Sequence, residues 1–178
     1  MKVCIVIPTF NERENIQQLI PLIQKVLRES SIISSSHILI VDDNSPDGTG
    51  RAAEELAQTF PNIHVIHRPR KLGIGSALKD GFEYALSRLN ADIIIQMDAD
   101  LSHHPAYIPR FIAKIREGYD VVIGSRRVSG GRIVGWSLYR HVISYIANKI
   151  AQQVLRLNVQ DCTSGYRAFT QNALHTIR

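Results

Sequence analysis

The feature that most constrains this chain is an alternation. Short, almost wholly apolar runs take turns with longer stretches in which apolar residues recur at helical spacing. The runs are residues 3–7, 37–41, 63–67, 92–97 and 120–124, and the stretches between them are 12–29, 50–59, 76–89 and 105–117. A β-α-β-α order of this kind predicts an α/β fold: a single domain with a mostly parallel central sheet flanked by helices. Runs without a polar alternate suit strands covered on both faces, which helices on either side of a parallel sheet provide. The 178 residues suit one such domain.

Most of these runs hand over to a polar cluster. Pro8-Thr9-Phe10-Asn11-Glu12 follows the first, Asp42-Asp43-Asn44-Ser45 the second, Asp98-Ala99-Asp100 the fourth, and Ser125-Arg126-Arg127 the fifth. In an open α/β sheet the carboxyl ends of the strands form the ligand crevice. Four polar clusters are therefore expected to meet on one rim.

The acidic cluster carries the most chemistry. Residues two apart in extended chain point the same way, so Asp98 and Asp100 can address one cation. A hard divalent ion, Mg²⁺ or Mn²⁺, shared with a diphosphate would relieve their mutual repulsion. The bland alternative is a pair of solvated loop aspartates or a cap for the next helix. His103 and His104 follow closely and read as loop residues or supports of the acidic pair, because oxygen ligands suit such an ion better than imidazole.

Counted from Asp43, the second cluster imitates a calcium-binding loop. Such a loop needs a helix before it, and here an Ile-Leu-Ile-Val run precedes. The better expectation is a strand-end acidic pair that accepts from a nucleobase or ribose, with Asp47-Gly48 turning into the next helix. Asn11 and Glu14 have the spacing of a helix capping box. Phe10 and Glu12 lie outside that explanation and are candidates for stacking on a base and accepting from it. Gly73-Ile74-Gly75-Ser76 opens a helix but is only half a dinucleotide fingerprint.

Charge and composition narrow the partners. The net charge is +5, and much of the excess is clustered at Arg68, Arg70 and Lys71, then at Arg126, Arg127, Arg132 and Arg140. Phosphate-bearing partners fit such clusters. No nucleic-acid module is recognisable, so nucleic acid is not expected. Arg126 and Arg140, on either side of Gly130-Gly131, could grip a phosphate bidentately. No apolar stretch approaches the roughly 20 residues of a membrane span, and no secretory pattern opens the chain. Two cysteines, Cys4 and Cys162, give no disulfide framework, which favours a reducing, cytoplasmic setting. Leu138, Val142, Ile146, Ile150, Val154 and Leu157 recur at helical spacing among Arg140, Lys149 and Arg156. A helix packed on the sheet is the first expectation there, and contact with a membrane surface the alternative.

Taken together, the motifs resemble those of the dolichol-phosphate (polyprenol-phosphate) mannose synthases, family 2 inverting glycosyltransferases with a GT-A fold. The resemblance is carried by Pro8 to Asn15, Asp42 to Thr49, Met97 to Pro105, Gly124-Ser125-Arg126, Gly130-Gly131 with Gly135-Trp136, and Asp161 to Arg167. It implies GDP-mannose as the nucleotide sugar and a polyprenyl monophosphate as acceptor, at the cytosolic membrane face. UDP-glucose or another donor, or a nucleotide-sugar binder without turnover, are the alternatives. It implies Pro8, Phe10, Glu12, Val41, Asp42 and Asp43 at the nucleoside, and Asp98, Ala99 and Asp100 at the diphosphate. It implies Asp98, Asp100 and Ser102 at the metal, and Arg126, Arg140 and Ser144 at the acceptor phosphate, with Asp100, Arg126 and Arg140 serving catalysis. Phe10 stands where tyrosine is common, and Ser102 where some relatives carry glutamine. Relatives also continue beyond the position of Arg178, so residues 1–178 are expected to be a GT-A catalytic domain shortened at its C-terminal end. The oligomeric state is left open.

Overall fold

The innermost strand, β1 (Val3–Thr9), is buried along nearly its whole length. It runs parallel to β2 (Ser36–Asp42) on one side and β4 (Ile93–Gln96) on the other. A parallel β3 (Ile63–His67) completes that side. The computed structural model describes residues 1–128, 138–154, 156 and 159–176, and not the side chains of residues 138 and 140–142. Six strands form one sheet in the order β3-β2-β1-β4-β6-β5. β6 (Arg167–Thr170) is antiparallel to both β4 and β5 (Val121–Ile123). β5 therefore points the same way as β1 to β4, and all five carboxyl ends lie on one edge.

Side-chain alternation divides the core in two. Val3, Ile5 and Ile7 of β1 join Ile38, Ile40, Ile93 and Ile95 on one face. There they meet α1 (Arg13–Glu29) and α4 (Ile108–Arg116) through Ile16, Leu19, Ile20, Ile23, Phe111 and Ile112, and α2 (Thr49–Thr59) through Ala52 and Ala53. Cys4 and Val6 face the other way, onto Ala77 and Ala85 of α3 (Ile74–Ser87) and Leu174 of α6 (Gln171–Thr176). Each of the wholly buried leucines and isoleucines on α1 contributes roughly 1.5–3 kcal/mol. α3 lies so close to the sheet that a Cβ on Gly81 would stand 2.5 Å from Val6 Cγ1. Cys4 is fully buried, and burial pushes its thiol pKa far up, which makes it an inert core residue.

Three expectations need correction. β6, which begins at Arg167, the last residue of the Asp161 to Arg167 motif, is a strand that the apolar runs do not predict, inserted between β4 and β5. The capping box at Asn11 and Glu14 does not form. Asn11 has φ +59°, which is outside N-cap geometry, and the start of α1 is capped from the neighbouring loop instead. Ser45 Oγ accepts from the amide of Asn11, Thr49 Oγ1 from Glu12, and Asp47 Oδ2 from Arg13, at 3.0, 2.9 and 3.1 Å.

The third correction concerns α5 (Leu138–Val154), which was expected to pack its apolar stripe on the sheet. Among its described side chains Ile143, Ile146, Ile150 and Val154 are exposed, as are Tyr139 and Tyr145. A polar anchor holds the helix. Buried Asn148 donates to Gln160 O at 2.6 Å and accepts from the Cys162 amide at 2.7 Å. No helix among the described residues is long and apolar enough to cross a membrane.

Candidate active site

The rim is built first by hydrogen bonds between strand ends. Asp42, buried at the end of β2, accepts from Thr9 Oγ1 of β1 at 3.1 Å and from the amide and hydroxyl of Ser45. Next to it, Asp43 turns inward. Its Oδ1 pairs with Arg68, and its Oδ2 accepts from the amides of Leu72 and Gly73, both at 3.0 Å. Arg68 is itself buried, donates to Ser76 and lies 2.9 Å from Asp80. A buried charge needs such compensation. The result is a loop, residues 68–73, tied under the end of β2. It brings Lys71 Nζ to 3.8 Å from the centre of the Phe10 ring, a cation–π contact. Pro8 and Glu12 are half-buried beside it, and Glu12 accepts from Asn15 at 2.6 Å. Val41 and Ala99 are buried floor residues.

The acidic pair sits where β4 ends. Ala99 is buried between a half-exposed Asp98 and an exposed Asp100. Leu101 has φ +62°, an unusual conformation for its side chain. The turn it makes lets the Ser102 amide donate to Asp100 Oδ1 at 3.0 Å. Burial raises the pKa of Asp98, and the charge of Asp100 adds to that, outweighing the attraction of His103. Asp98 Oδ1 is buried with no hydrogen-bond partner.

An under-compensated carboxylate of this kind fits a cation. No group of three His, Cys, Asp or Glu among the described residues forms a protein-only metal cage. Two carboxylates and a hydroxyl instead suit a Mg²⁺-type ion that completes its shell with water and substrate phosphate.

The basic side of the rim follows β5. Arg126 donates through Nε and Nη2 to both oxygens of buried Asp161, at 2.9 and 3.0 Å, and through Nη2 to Thr163 at 3.0 Å. Burial alone would raise the Asp161 carboxyl. Hydrogen bonds and charge from Arg126, aided by Thr163, outweigh burial and hold it at about 2. Arg127 Nη2 donates to Ser144 Oγ at 3.1 Å, which draws α5 onto the same edge. The Arg140 side chain, Arg132, Gly130-Gly131 and Gly135-Trp136 lie outside the described residues.

The structure thus joins the first two clusters into one network and gathers the last two around β6. Sequence reasoning gave no role to Arg68 as partner of Asp43, nor to Asp161 as partner of Arg126. Arg68 was visible only as one of several basic residues, and Asp161 only as part of a motif. A groove of about 440 Å³ lined by Gln24, Arg28, His37, Phe60 and Asn62 lies at the opposite end of β2. It holds no carboxylate, so the chemistry is located by its residues and not by cavity size.

Comparison with known proteins adds a family, two relatives and two solved structures. The family described as glycosyl transferase family 2 matches residues 4–178. The chain is 42% identical over 177 residues to an undecaprenyl-phosphate mannosyltransferase of Micrococcus luteus, covering 99% of this chain and 70% of that protein. It is also 42% identical over 174 residues to a polyprenol monophosphomannose synthase of Mycolicibacterium smegmatis, covering 97% of this chain but 63% of that protein. Among solved structures, mannosyl-3-phosphoglycerate synthase from Rubrobacter xylanophilus superposes with a TM-score of 0.70 at 18% identity, over 96% of this chain and 53% of that one. A Pyrobaculum calidifontis mannosyltransferase solved with GDP-Man and Mn²⁺ gives 0.62 at 17% identity, over 99% and 46%. At such identities the likeness is one of fold, the GT-A arrangement expected.

Proposed function

This chain belongs to glycosyl transferase family 2, and on that premise we propose that it moves mannose from GDP-mannose to a polyprenyl monophosphate with inversion, aided by a divalent cation. The observation that carries the proposal is the 42% identity, over nearly the whole chain, to two proteins named for that transfer. The site chemistry supports it. The rim has paired carboxylates on one side and arginines on the other.

In a single in-line displacement an acceptor phosphate oxygen forms the new bond at the anomeric carbon. The bond to the nucleoside diphosphate breaks, and its electron pair leaves with the diphosphate. The attacking oxygen is already ionised near neutral pH, so no strong general base is needed. The protein's main task is to hold two anions close together. Asp98 and Asp100, with Ser102, would hold Mg²⁺ or Mn²⁺, which when bound neutralises charge on the departing diphosphate. Phe10 offers a ring to the base, with Pro8, Glu12 and Val41 around it. Asp42 and Asp43 shape that subsite through Thr9, Ser45 and the tied loop of residues 68–73. Arg126, Arg140 and Ser144 receive the acceptor phosphate.

Arg126 is suited to this because Asp161 fixes its guanidinium plane. The exposed tyrosines and isoleucines of α5, interleaved with Lys149, suit the interface of an anionic membrane, where the lipid acceptor resides. On this reading the protein works at the membrane surface, on the cytosolic face. Residues 1–178 act as the catalytic domain.

The test is a transfer assay on membranes with GDP-mannose and UDP-glucose side by side, with and without a chelator. Mannose should pass to polyprenyl phosphate and stop when the cation is removed. Preference for UDP-glucose would overturn the donor. Nucleotide binding without turnover would overturn the reaction.

A further inference from the structure

The transfer proposed above makes no use of His103, yet this side chain is tightly built into the acidic rim. The backbone amide of Asp98 donates to His103 Nδ1 at 2.9 Å. A ring nitrogen that accepts carries no proton, so the imidazole proton sits on Nε2.

Nε2 in turn faces Asp98 Oδ2 at 3.5 Å. The ring lies flat on Tyr166, with centres 4.7 Å apart and planes 10° from parallel. Tyr166 is itself fixed, by Phe111 at 4.6 Å between ring centres and by its hydroxyl donating to His104 O at 3.2 Å. Opposite, the Gly165 backbone comes so close that a Cβ there would stand 3.2 Å from Asp98 Oδ2 and 3.4 Å from His103 Cε1. Asp98 and His103 are therefore gripped from both sides, while Asp98 Oδ1 remains without a partner.

We propose that His103 is a positioning residue for the cation site. Held as the Nε2–H tautomer by the amide of Asp98 and stacked on Tyr166, it fixes the orientation of the Asp98 carboxylate and so sets the divalent-cation affinity of the rim. It rests on the metal-dependent transfer proposed above. Groups that orient a metal ligand typically change metal affinity by about 10–100-fold when lost.

The experiment is a Mn²⁺ titration of the chain, with free ion followed by electron paramagnetic resonance, alongside a thermal melt of each variant. His103→Asn keeps an acceptor near the Asp98 amide but has no group at the Nε2 position. Its Mn²⁺ affinity should fall by about 10–100-fold with the melting temperature little changed, a split that a merely structural role would not produce. A folded His103→Asn with wild-type affinity overturns the proposal.

Nitrogen-15 NMR of the wild-type imidazole provides a reading that needs no variant to fold. Nε2 should be protonated, Nδ1 unprotonated, and the Nε2 signal should shift on adding Mg²⁺. The other tautomer, or a signal indifferent to Mg²⁺, also overturns it. Wild-type protein that binds no Mn²⁺ sinks the metal-dependent transfer as well. If Asp98→Ala abolishes Mn²⁺ binding while His103→Asn leaves it intact, only the role of His103 falls.

Discussion

Asp161→Asn isolates what the Arg126 pair contributes. In the folded chain the Asp161 carboxyl is depressed from its ordinary 3.8 to about 2, where burial is outweighed by Arg126 and Thr163. At ~1.4 kcal/mol per pH unit, that difference corresponds to roughly 2 kcal/mol of folding stability. The Arg126 side chain is 30% exposed, and water screens part of the attraction, so about 1–2 kcal/mol is the expected contribution. Its sign with pH follows from the depression. The contribution is fully present above the unfolded value near 4 and is lost as pH falls through about 2, with roughly half already gone at pH 3.

The assay is urea unfolding of wild type and variant at pH 7 and pH 3, with the denaturant slopes compared to confirm the same exposed surface. The variant should be less stable by about 1–2 kcal/mol at pH 7, and the gap should shrink to about half at pH 3. No gap at pH 7, or an equal gap at both, would refute the reasoning. Because the same pair fixes the guanidinium plane, the KM for lipid phosphate should rise as well.

Replacing Asp100 with Ala should abolish cation-dependent transfer in the membrane assay while the far-ultraviolet circular dichroism stays unchanged; full activity would remove Asp100 from the site. Gly81→Ala would place a Cβ 2.5 Å from Val6 Cγ1 and 3.1 Å from Val41 Cγ2. The overpacking should cost about 1–3 kcal/mol, more than the ~1 kcal/mol that alanine gains by helix propensity, so a variant melting at or above wild type contradicts the close packing of α3. His37 and His64, whose rings are 3.1 Å apart at their nearest nitrogens, both have pKa values lowered by burial. Lys2 adds to the effect on His37, and His37 to that on His64, while Tyr84 is the other ring packed there. A lowered histidine contributes stability above the ordinary 6.5 that is lost as pH falls below it. Melting temperatures from pH 7.5 to 5 should therefore fall less steeply in His64→Gln, and parallel profiles would remove the histidine pair as the cause.

Local chemistry determined most of what is seen. Residues such as Ile5, Ile38 and Ile94 sit in runs too apolar to be exposed and too short to be helices. Strand existence and a parallel arrangement followed from their order, and the rim followed from the polar clusters at their ends. The Asp98-Ala99-Asp100 cluster was legible in the same way, as polar residues just beyond the end of β4. Other features depend on residues far apart in the chain and were closed to such reasoning. The four residues of β6, opened by Arg167, carry no strand pattern of their own, and only pairing with β4 and β5 makes them a strand. Arg68 and Arg126 read as two of many cations until the fold set them against Asp43 and Asp161, 25 and 35 residues away. The stripe on α5 has helical spacing whether it faces a sheet or solvent, and the buried Asn148 decided between them. Periodicity and turn chemistry act over a few residues and are written in the sequence. The partner of a buried charge or an apolar face is chosen by which surfaces the whole chain can bring together, and only the tertiary structure makes that choice.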